Sequence, residues 1–582
     1  QVQQMQAPAQ FSGGSWKQKK TIFVRKFKSN VREFLYFFSL WGKTLQKIGN
    51  FGGGVQSYFI FLRFLVVLNF VSFLLIAGFV LIPSIVFRSV DILKYDPNPQ
   101  GLVVFYEFFL DLLSGTGFME YSYMFYGYYN NTVVVTSLVG SDFSYNIPLA
   151  YLLTAVFYFA FCLICIIAMG KAARVAVTTG GSDVRSYSMI VFTGWDYGCL
   201  GSKATKLKQR NIYYRLQVDL EEERLKKHAA SLTLCNKVTL YSLRVLMFFV
   251  AIGLIIATFV AIAYATTFSQ ENNNVQGFLG LFYTYLPSIV ITTGNFLVPL
   301  LCDQIALLEK YPPSATVVVA LLAVVLRLVS LGILLYTLWN QIVCHGSTDT
   351  CPCHYNHSNY QCWETSVGQE MYKLTLFDLL VSIALLVLVE FPRMVVDHWS
   401  CNLTQWVGRQ EFVVPSNVLG LVYGQTVVWT GALFCPLLPL INTVKFVILF
   451  YCKKITLFYN CRPALRTFRS TTSAFFFLAV LLFGWILALV VMIYSVAIHP
   501  SFACGPFRSF LRMWKIVPDS LAILPKGTRD FLFFIGSQAF SVPVFMCYFI
   551  ALASIYGKSV AMLRAQLKLA GQDKQFLVKQ IE

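Results

Sequence analysis

Oxygen-bearing side chains recur at helical spacing along one apolar segment of the chain, residues 279–301 and the turn that follows. At 100° per residue, five of them fall within an arc of about 100° on one face of a helix. They are Thr284, Ser288, Thr292, Asn295 and Asp303. The remaining face is apolar, and such a stripe is typical of a helix that lines an aqueous path. The spacing therefore predicts a route for ions along this helix.

Further polar and ionisable side chains lie in the four apolar segments that follow. They are Arg327, Asp378, Glu390, Gln425, Thr426, Asn442 and Lys445. An ionisable group at the bilayer centre costs on the order of 2.5–3.5 kcal/mol on insertion scales, so it tends to face protein or water. Two interpretations stay open. The side chains line the same route, or the basic ones pair with the two carboxylates inside the bundle while the threonine bonds its own backbone.

The composition places these segments in a membrane protein. Of 582 residues, 57% are apolar and only 13% are charged, whereas soluble domains run near 45–50% apolar and about 25% charged. The net charge of +19 is spread between apolar runs rather than over a polar basic domain, which argues against nucleic-acid binding. The sequence contains no phosphate-cradling, redox or hydrolytic motif. We therefore predict no enzyme activity, no cofactor and no resident metal.

Ten apolar runs approach the roughly 20 residues that a helix needs to cross about 30 Å of hydrocarbon. They cover residues 58–86, 149–169, 246–267, 279–301, 316–339, 374–395, 422–439, 440–451, 475–496 and 531–556. The seventh and eighth are joined at Pro436-Leu437-Leu438-Pro439 and are interpreted as two segments, the eighth continuing past Tyr451. One long kinked helix is the alternative, and it would give nine spans. The predicted fold is an all-α polytopic membrane protein.

The distribution of Lys and Arg orients these spans. Basic residues are concentrated in four segments: 1–56, 171–243, 452–473 and 557–582. Because short cytoplasmic loops carry the excess of Lys and Arg, these segments and both termini are expected in the cytosol. Only residues 498–530, with five basic residues, break the pattern. We expect a plasma-membrane or secretory-pathway protein.

Six regions follow from this topology. They are a basic cytosolic segment with a lipid-facing interfacial helix (1–56), spans one and two with an exoplasmic loop (57–170), a cytosolic linker with a charged helix (171–243), spans three to eight with the predicted route (244–456), spans nine and ten (457–556) and a cytosolic C-terminal segment (557–582).

Cysteines and glycosylation sequons fall in the loops assigned outside. The cysteines are Cys344, Cys351, Cys353, Cys362 and Cys504, of which four can form two disulfides with open connectivity. Cys351-Pro352-Cys353-His354 could also be read as a metal cluster, but an oxidising compartment favours disulfides. Asn130 and Asn356 are candidate glycan sites, whereas the sequon at Asn402 lies inside and should stay bare.

The residues at the entrance to the sixth span form a specific motif. They read Cys362, Trp363, Glu364, Thr365, Ser366, Val367, Gly368, Gln369 and Glu370. This run closely resembles the signature of the transmembrane channel-like (TMC) family. Three more stretches resemble family motifs: Gly194-Trp195-Asp196-Tyr197, Tyr423-Gly424-Gln425-Thr426 and Cys504-Gly505-Pro506-Phe507-Arg508.

The resemblance implies ten spans, cytosolic termini and a fold similar to the anoctamin and OSCA proteins. It implies a homodimer joined through the tenth helix, with a lateral groove in each protomer lined by spans four to eight. Members tied to hearing conduct cations under membrane force, with calcium- and integrin-binding family proteins and small membrane subunits as partners. Asp378 stands where the family has an acidic residue in its pore helix.

The leading hypothesis is therefore a mechanically responsive, cation-permeable channel or channel subunit. Arg327 and Lys445 could neutralise the carboxylates and leave the groove weakly selective. A lipid scramblase is one alternative, because an open polar groove can let headgroups slide. A non-conducting scaffold or regulator of ion homeostasis is the other.

Overall fold

The computed structural model describes most of the hydrophobic part of the chain. It covers residues 48, 53–87, 102–138, 141–180, scattered positions from 205 to 227, 234–272, 278–308, 316–344, 355–356, 360–392, 412, 414–460 and 470–581. The chain divides into two units, Gln1–Ser509 and Phe510–Glu582. The interfacial helix, most of the charged linker helix and the Asn402 sequon lie outside the described residues.

The first unit consists mainly of long helices. They are α1 (Gly53–Ile76, continued by a π-helical turn Ala77–Leu81 and a short end Ile82–Val86), α2 (Leu102–Ser114), α3 (Ile147–Gly180), α4 (Leu234–Glu271), α5 (Phe278–Leu308), α6 (Thr316–Ile342), α7 (Trp363–Leu385, continued by a π turn Leu386–Glu390), α8 (Val414–Gly431), α9 (Leu438–Ile455, continued by a π turn Thr456–Asn460) and α10 (Ser470–Ala497).

The all-α prediction is wrong in one place. Residues 133–146 form an antiparallel hairpin of β1 (Val133–Leu138) and β2 (Ser141–Asn146), with Val135 opposite Ser144. The first strand reads Val-Val-Val-Thr, a β-branched run that loses side-chain freedom in a helix and packs well on a pleated surface. A search for membrane-length apolar runs does not detect so short an element.

Helix α8 is the centre of the first unit. Nearly all of its residues from Leu421 to Gly431 are buried, and it packs against α1, α6, α7, α9 and α10. One apolar core joins α1, α3, α8, α9 and α10. A second apolar core lies on the other side of α8. It contains residues of each helix from α4 through α9, among them Ile291, Leu331 and Val427. A mostly apolar helix with few charged residues suits such a buried position, and its polar side chains must find partners inside the bundle.

The doubtful seventh and eighth segments are two helices. Helix α8 ends at Gly431, whose carbonyl oxygen accepts the backbone N–H groups of Phe434 and Cys435 in the turn that follows. Helix α9 starts at Leu438. Asn442 bonds Gln425 across the pair, which shows that the two helices run antiparallel. The alternative of one long kinked helix is therefore wrong, and the continuation of α9 past Tyr451 is confirmed. Helix α8, which corresponds to the seventh predicted segment, begins at Val414, eight residues before the predicted start of that segment.

Helix α7 begins at Trp363, eleven residues before the predicted start of the sixth span. Its first turns are buried against loop residues, which satisfy polar side chains that a hydropathy criterion rejects. Asp378 consequently lies near the middle of the helical segment Trp363–Glu390, and Glu390 closes that segment.

The second unit holds α11 (Ile516–Ala522), α12 (Lys526–Gly536) and α13 (Gln538–Ile581). The predicted tenth span, 531–556, crosses a break at Ser537, whose backbone is extended. The apolar helix of this unit therefore starts at Gln538 and runs 44 residues. The described side chains of α13 are nearly all exposed.

Six helices of the described part are long and apolar enough to cross a membrane. They are Val55–Val86, Ile147–Gly170, Phe248–Glu271, Trp363–Glu390, Phe477–Ala497 and Gln538–Gln566. The chain is thus a mostly helical polytopic membrane protein. Ten spans and the likeness to anoctamins and OSCA proteins stay predictions.

Candidate functional site

Three ionisable side chains from three helices converge against α8. Lys445 of α9 places its Nζ 2.6 Å from Oδ2 of Asp378 on α7. Arg327 of α6 interacts electrostatically with Asp378 and donates a hydrogen bond from Nη2 to the carbonyl oxygen of Asn295 on α5, at 3.4 Å. We call Arg327, Asp378 and Lys445 the charged cluster. It lies where α5, α6, α7, α8 and α9 meet, the helices that correspond to predicted spans four to eight.

Two glycines of α8 make room for the cations of the cluster. A Cβ added at Gly424 would lie 3.0 Å from Lys445 Nζ and 3.9 Å from Asp378 Oδ2. A Cβ added at Gly420, one turn earlier, would lie 3.6 Å from Arg327 Nη1. We call Gly420 and Gly424 the glycine face. Sequence reasoning missed it, although the Gly-Leu-Val-Tyr-Gly spacing on one helical face is readable.

Burial is unequal within the charged cluster. The side chain of Lys445 is 2% exposed, whereas that of Asp378 is 34% exposed. The Nε of Arg327 is buried and has no hydrogen-bond partner among the described residues. The ammonium of Lys445 uses one N–H donor on Asp378, and its other two donors have no hydrogen-bond acceptor among the described residues. Two cations with unused donors and one carboxylate leave the site a formal excess of one positive charge.

A second carboxylate–lysine pair joins the C-terminal ends of α7 and α9. The hydroxyl of Thr456 donates a hydrogen bond to Glu390 Oε2, and Lys453 Nζ lies 4.0 Å from Glu390 Oε1. Glu390 closes the π turn of α7, and Thr456 opens the π turn of α9. Such turns are rare and often lie at functional sites. The same two helices are thus linked by an acid–base pair at mid-helix and at their C-terminal ends.

The predicted stripe on α5 is only partly engaged. Ser288 is buried, Thr284 donates to its own backbone at Gly280, and Thr292 is half-buried. The Oδ1 of Asn295 is buried without a partner among the described atoms. Asp303 belongs to the helix, but its side chain lies outside the described residues. Of the stripe residues whose side chains are described, only Asn295 contacts the charged cluster, through its backbone carbonyl.

Three amides form a sealed network between α1, α8 and α9. Asn69 Nδ2 donates to Gln425 Oε1 at 2.6 Å, Gln425 Nε2 donates back to Asn69 Oδ1 at 3.3 Å, and Asn442 Nδ2 donates to Gln425 Oε1 at 3.3 Å. All three residues are fully buried. Thr426 is also buried and donates to the carbonyl of Val422. In this conformation these side chains contact protein, and their role in lining a route stays a prediction.

The signature residues fasten the start of α7 to the segments around residues 115–127 and 499–504. Cys362 is bonded to Cys504, which settles one pairing that the sequence left open. Glu364 accepts the backbone N–H of Ser501 at 2.8 Å, and Thr365 accepts that of Gly127 at 3.2 Å. These contacts are structural, so the motif positions α7 rather than forming a binding site.

The other signature residues pack or pair along the same helix. Gln369 donates to the carbonyl of Gly115 at 3.1 Å, and Glu370 pairs with Lys373 at 2.6 Å. A Cβ on Gly368 would lie 2.8 Å from the carbonyl oxygen of Phe434, so the α8–α9 turn can approach α7 closely there. Trp363 donates from Nε1 to the carbonyl of His499.

The structure describes only some of the cysteines and glycosylation sequons that the sequence analysis predicts in exoplasmic loops. Cys344 is disulfide-bonded, whereas Cys351 and Cys353 lie outside the described residues. Asn130 accepts a hydrogen bond from Arg508 Nη2 at 2.8 Å, and Asn356 is half-buried. Among the described residues, no group of three or more His, Cys, Asp and Glu side chains could hold a metal.

Comparison with known proteins decides the family. Residues 362–471 match the model of the TMC domain. The chain is 40% identical to a human protein named voltage-gated chloride channel TMC4, over 98% of this chain and 82% of that protein. The chain belongs to the transmembrane channel-like family. Human transmembrane channel-like protein 8 is 36% identical over 97% of this chain and 80% of its own length.

The TMC domain match runs from the disulfide cysteine at the head of α7 to the start of α10. It therefore contains α7, α8 and α9, which supply Asp378, the glycine face and Lys445. Arg327 and the α5 stripe lie before it. The family was recognisable from the signature, but the contacts of the charged cluster required the helix packing.

Proposed function

We propose that this TMC protein is an ion channel whose permeation route follows the seam between α7 and α9. The observation that carries this proposal is the charged cluster, because buried charges at the meeting of five membrane helices are costly and tend to mark ion pathways. The relatives named voltage-gated chloride channel TMC4, in human and mouse, at 40% identity, support the same class of function.

The conformation described here corresponds to a closed route. Asp378 and Lys445 join α7 to α9 at mid-helix, and Glu390 joins the same helices through Thr456 and Lys453 at the inner end. The π turns at both inner ends allow local rewinding without loss of the whole helix. Opening in this proposal separates α7 from α9 and exposes Lys445 to the route.

The charge of the cluster favours anions as the permeant ions. Two cations face one carboxylate, and the carboxylate is the more exposed member. A positive excess in a low-dielectric site attracts anions and repels cations. Cation permeability remains the competing hypothesis, since the α5 stripe and the half-exposed Asp378 would suit it.

Membrane force and voltage are the two stimuli to compare. Force follows from the family resemblance, whereas voltage follows from the name of the TMC4 relatives. The homodimer through α13, the calcium- and integrin-binding partners and the small membrane subunits also belong to this proposal. The role of each can be tested separately from ion permeation, because permeation is measured on the purified chain reconstituted without partner proteins.

The deciding experiment measures reversal potentials of the purified chain in planar bilayers under a potassium chloride gradient, with voltage steps and with applied tension. We expect a reversal potential close to that of chloride. Lys445→Met should lower the chloride-to-potassium permeability ratio at least several-fold, whereas Lys558→Met, which removes an exposed lysine of α13, should leave it unchanged.

Three results would reject parts of the proposal. A reversal potential close to that of potassium, unaffected by Lys445→Met, establishes the cation hypothesis. Movement of fluorescent lipids between leaflets without ionic current supports a scramblase. Absence of both activities under voltage and tension leaves the scaffold.

A further inference from the structure

The carboxylate of Asp378 stands in the position that a small anion would take. It approaches Lys445 Nζ to 2.6 Å, and it lies within electrostatic reach of Arg327. The two cations come from two different helices, α6 and α9, and the glycine face lets both side chains lie against the backbone of α8. The carboxylate is thus the one negative charge described at a site built by two cations.

The cations of this site keep unused hydrogen-bonding capacity. Lys445 is 2% exposed, and its ammonium uses one of its three N–H donors on Asp378, whereas the other two have no hydrogen-bond acceptor among the described residues. Arg327 Nε is likewise buried and unpartnered among the described residues. Buried donors without acceptors are costly, which makes the site receptive to a mobile acceptor.

The carboxylate is the member that can leave. Its side chain is 34% exposed, so rotation outward replaces the contact with Lys445 by contact with water in the opened seam. Lys445 has no such option, because it is enclosed between α8 and α9. Departure of the carboxylate would leave two cations without the anion that they now share.

We propose that Asp378 is a tethered anion that occupies, in the closed state, a binding site for a small monovalent anion formed by Lys445, Arg327 and the glycine face. This inference rests on the proposed anion channel and adds the identity of its gate. A halide entering from the route competes with the carboxylate, so occupancy by one excludes the other. Gly424 is a positioning residue, since it sets where the ammonium of Lys445 lies.

The experiment measures binding apart from conduction. The purified full chain in detergent is melted in sodium chloride and in sodium gluconate of equal ionic strength, as wild type, Asp378→Asn and Glu390→Gln. Gluconate is too large for the site. We expect chloride to raise the melting temperature of Asp378→Asn by several degrees with saturation, because a ligand that binds only the folded state stabilises it. Wild type and Glu390→Gln, whose tethered carboxylate still fills the site, should differ little between the two salts.

Chloride flux into vesicles supplies the second measurement. Asp378→Asn should conduct chloride several-fold more than wild type at resting voltage, because the tethered competitor is gone. Equal melting of Asp378→Asn in both salts, or failure to fold in both, overturns the anion site. A wild-type channel that carries chloride while Asp378→Asn carries no more overturns the gate and leaves the proposed function standing. Chloride-dependent melting of Asp378→Asn in a chain that conducts no anion supports the site and rejects the channel.

Discussion

Lys445 reaches Asp378 past the backbone of Gly424, with Nζ and Oδ2 separated by 2.6 Å. The three residues belong to three successive helices, α9, α7 and α8. Because α8 carries no side chain at position 424, the ammonium lies against its backbone and joins the helices on either side. This relationship makes one glycine a determinant of a contact between two other helices.

Gly424→Ala should weaken the ion pair. The added methyl carbon would lie 3.0 Å from Lys445 Nζ, which is tighter than ordinary contact, so the ammonium must shift by a few tenths of an ångström. We expect a loss of about 1–3 kcal/mol of folding free energy, as for other overpacked sites. We also expect a larger fraction of open channels at resting voltage. Thermal unfolding in detergent and single-channel recording measure the two effects.

Gly332→Ala is the matched control for this substitution. Gly332 is also helical, and no heavy atom lies within 4 Å of an added Cβ there. Helix propensity alone should make that variant more stable, by up to about 1 kcal/mol. Equal behaviour of the two alanine variants would contradict a positioning role for Gly424.

Gln425→Leu should destabilise the protein without changing its ion selectivity. The substitution removes the shared partner of the Asn69 and Asn442 amides in a fully buried network. Each buried polar group left without a partner costs about 1–3 kcal/mol. Thermal unfolding should show the loss, whereas reversal potentials should stay at the wild-type value.

The triple substitution Asn69→Leu, Gln425→Met and Asn442→Leu tests the physical reason. Replacing all partners by apolar groups of similar size is nearly neutral when the cost lies in unpaired groups, so the triple variant should regain most of the stability. A changed selectivity in Gln425→Leu with unchanged stability would instead support the sequence-based prediction that Gln425 lines the route.

Loss of the Cys362–Cys504 disulfide should loosen the head of α7. The bond closes a loop with a sequence separation of 142 residues, and the chain-entropy model assigns about 4–5 kcal/mol to loops of that size. The double variant Cys362→Ala/Cys504→Ala should therefore unfold at a lower temperature, and reductant should lower the melting temperature of the wild type. Cys547→Ala, which removes an exposed free thiol, should leave the melting temperature unchanged. A reductant-insensitive wild type would show that packing of α7 alone suffices.

The apolar periods predicted where helices lie better than where they end. The bend between Gly431 and Leu438 was readable from its two prolines. The early start of α7 was not, because Glu364, Glu370 and Lys373 make its first turns appear too polar for a span, and their loop and ion-pair partners become visible only in three dimensions.

For the charged cluster, too, the sequence pattern identifies the residues, whereas only the helix packing shows which of them pair. Sequence alone marked Arg327, Asp378 and Lys445 as costly in a membrane and left open whether they pair or line a route. It could not assign Lys445 to Asp378 rather than Glu390, because that choice depends on the parallel register of α7 and α9.

Glu120→Gln should stabilise the protein at neutral pH and not in acid. Burial raises the pKa of the Glu120 carboxyl above its ordinary value of 4.5, against a smaller lowering by its hydrogen bond with Gln369. The folded state therefore holds this proton more tightly than the unfolded state, and stability is lost as the pH rises through the raised pKa. Glutamine keeps the shape and removes the charge, so the variant should melt higher than wild type at pH 7, and the difference should disappear as the pH falls below about 4.5.

Asp530→Asn, at a carboxylate that is 61% exposed, should leave the melting temperature unchanged at both pH values. A Glu120→Gln variant that melts lower than wild type at pH 7 would show that the charged form is the one stabilised in the fold.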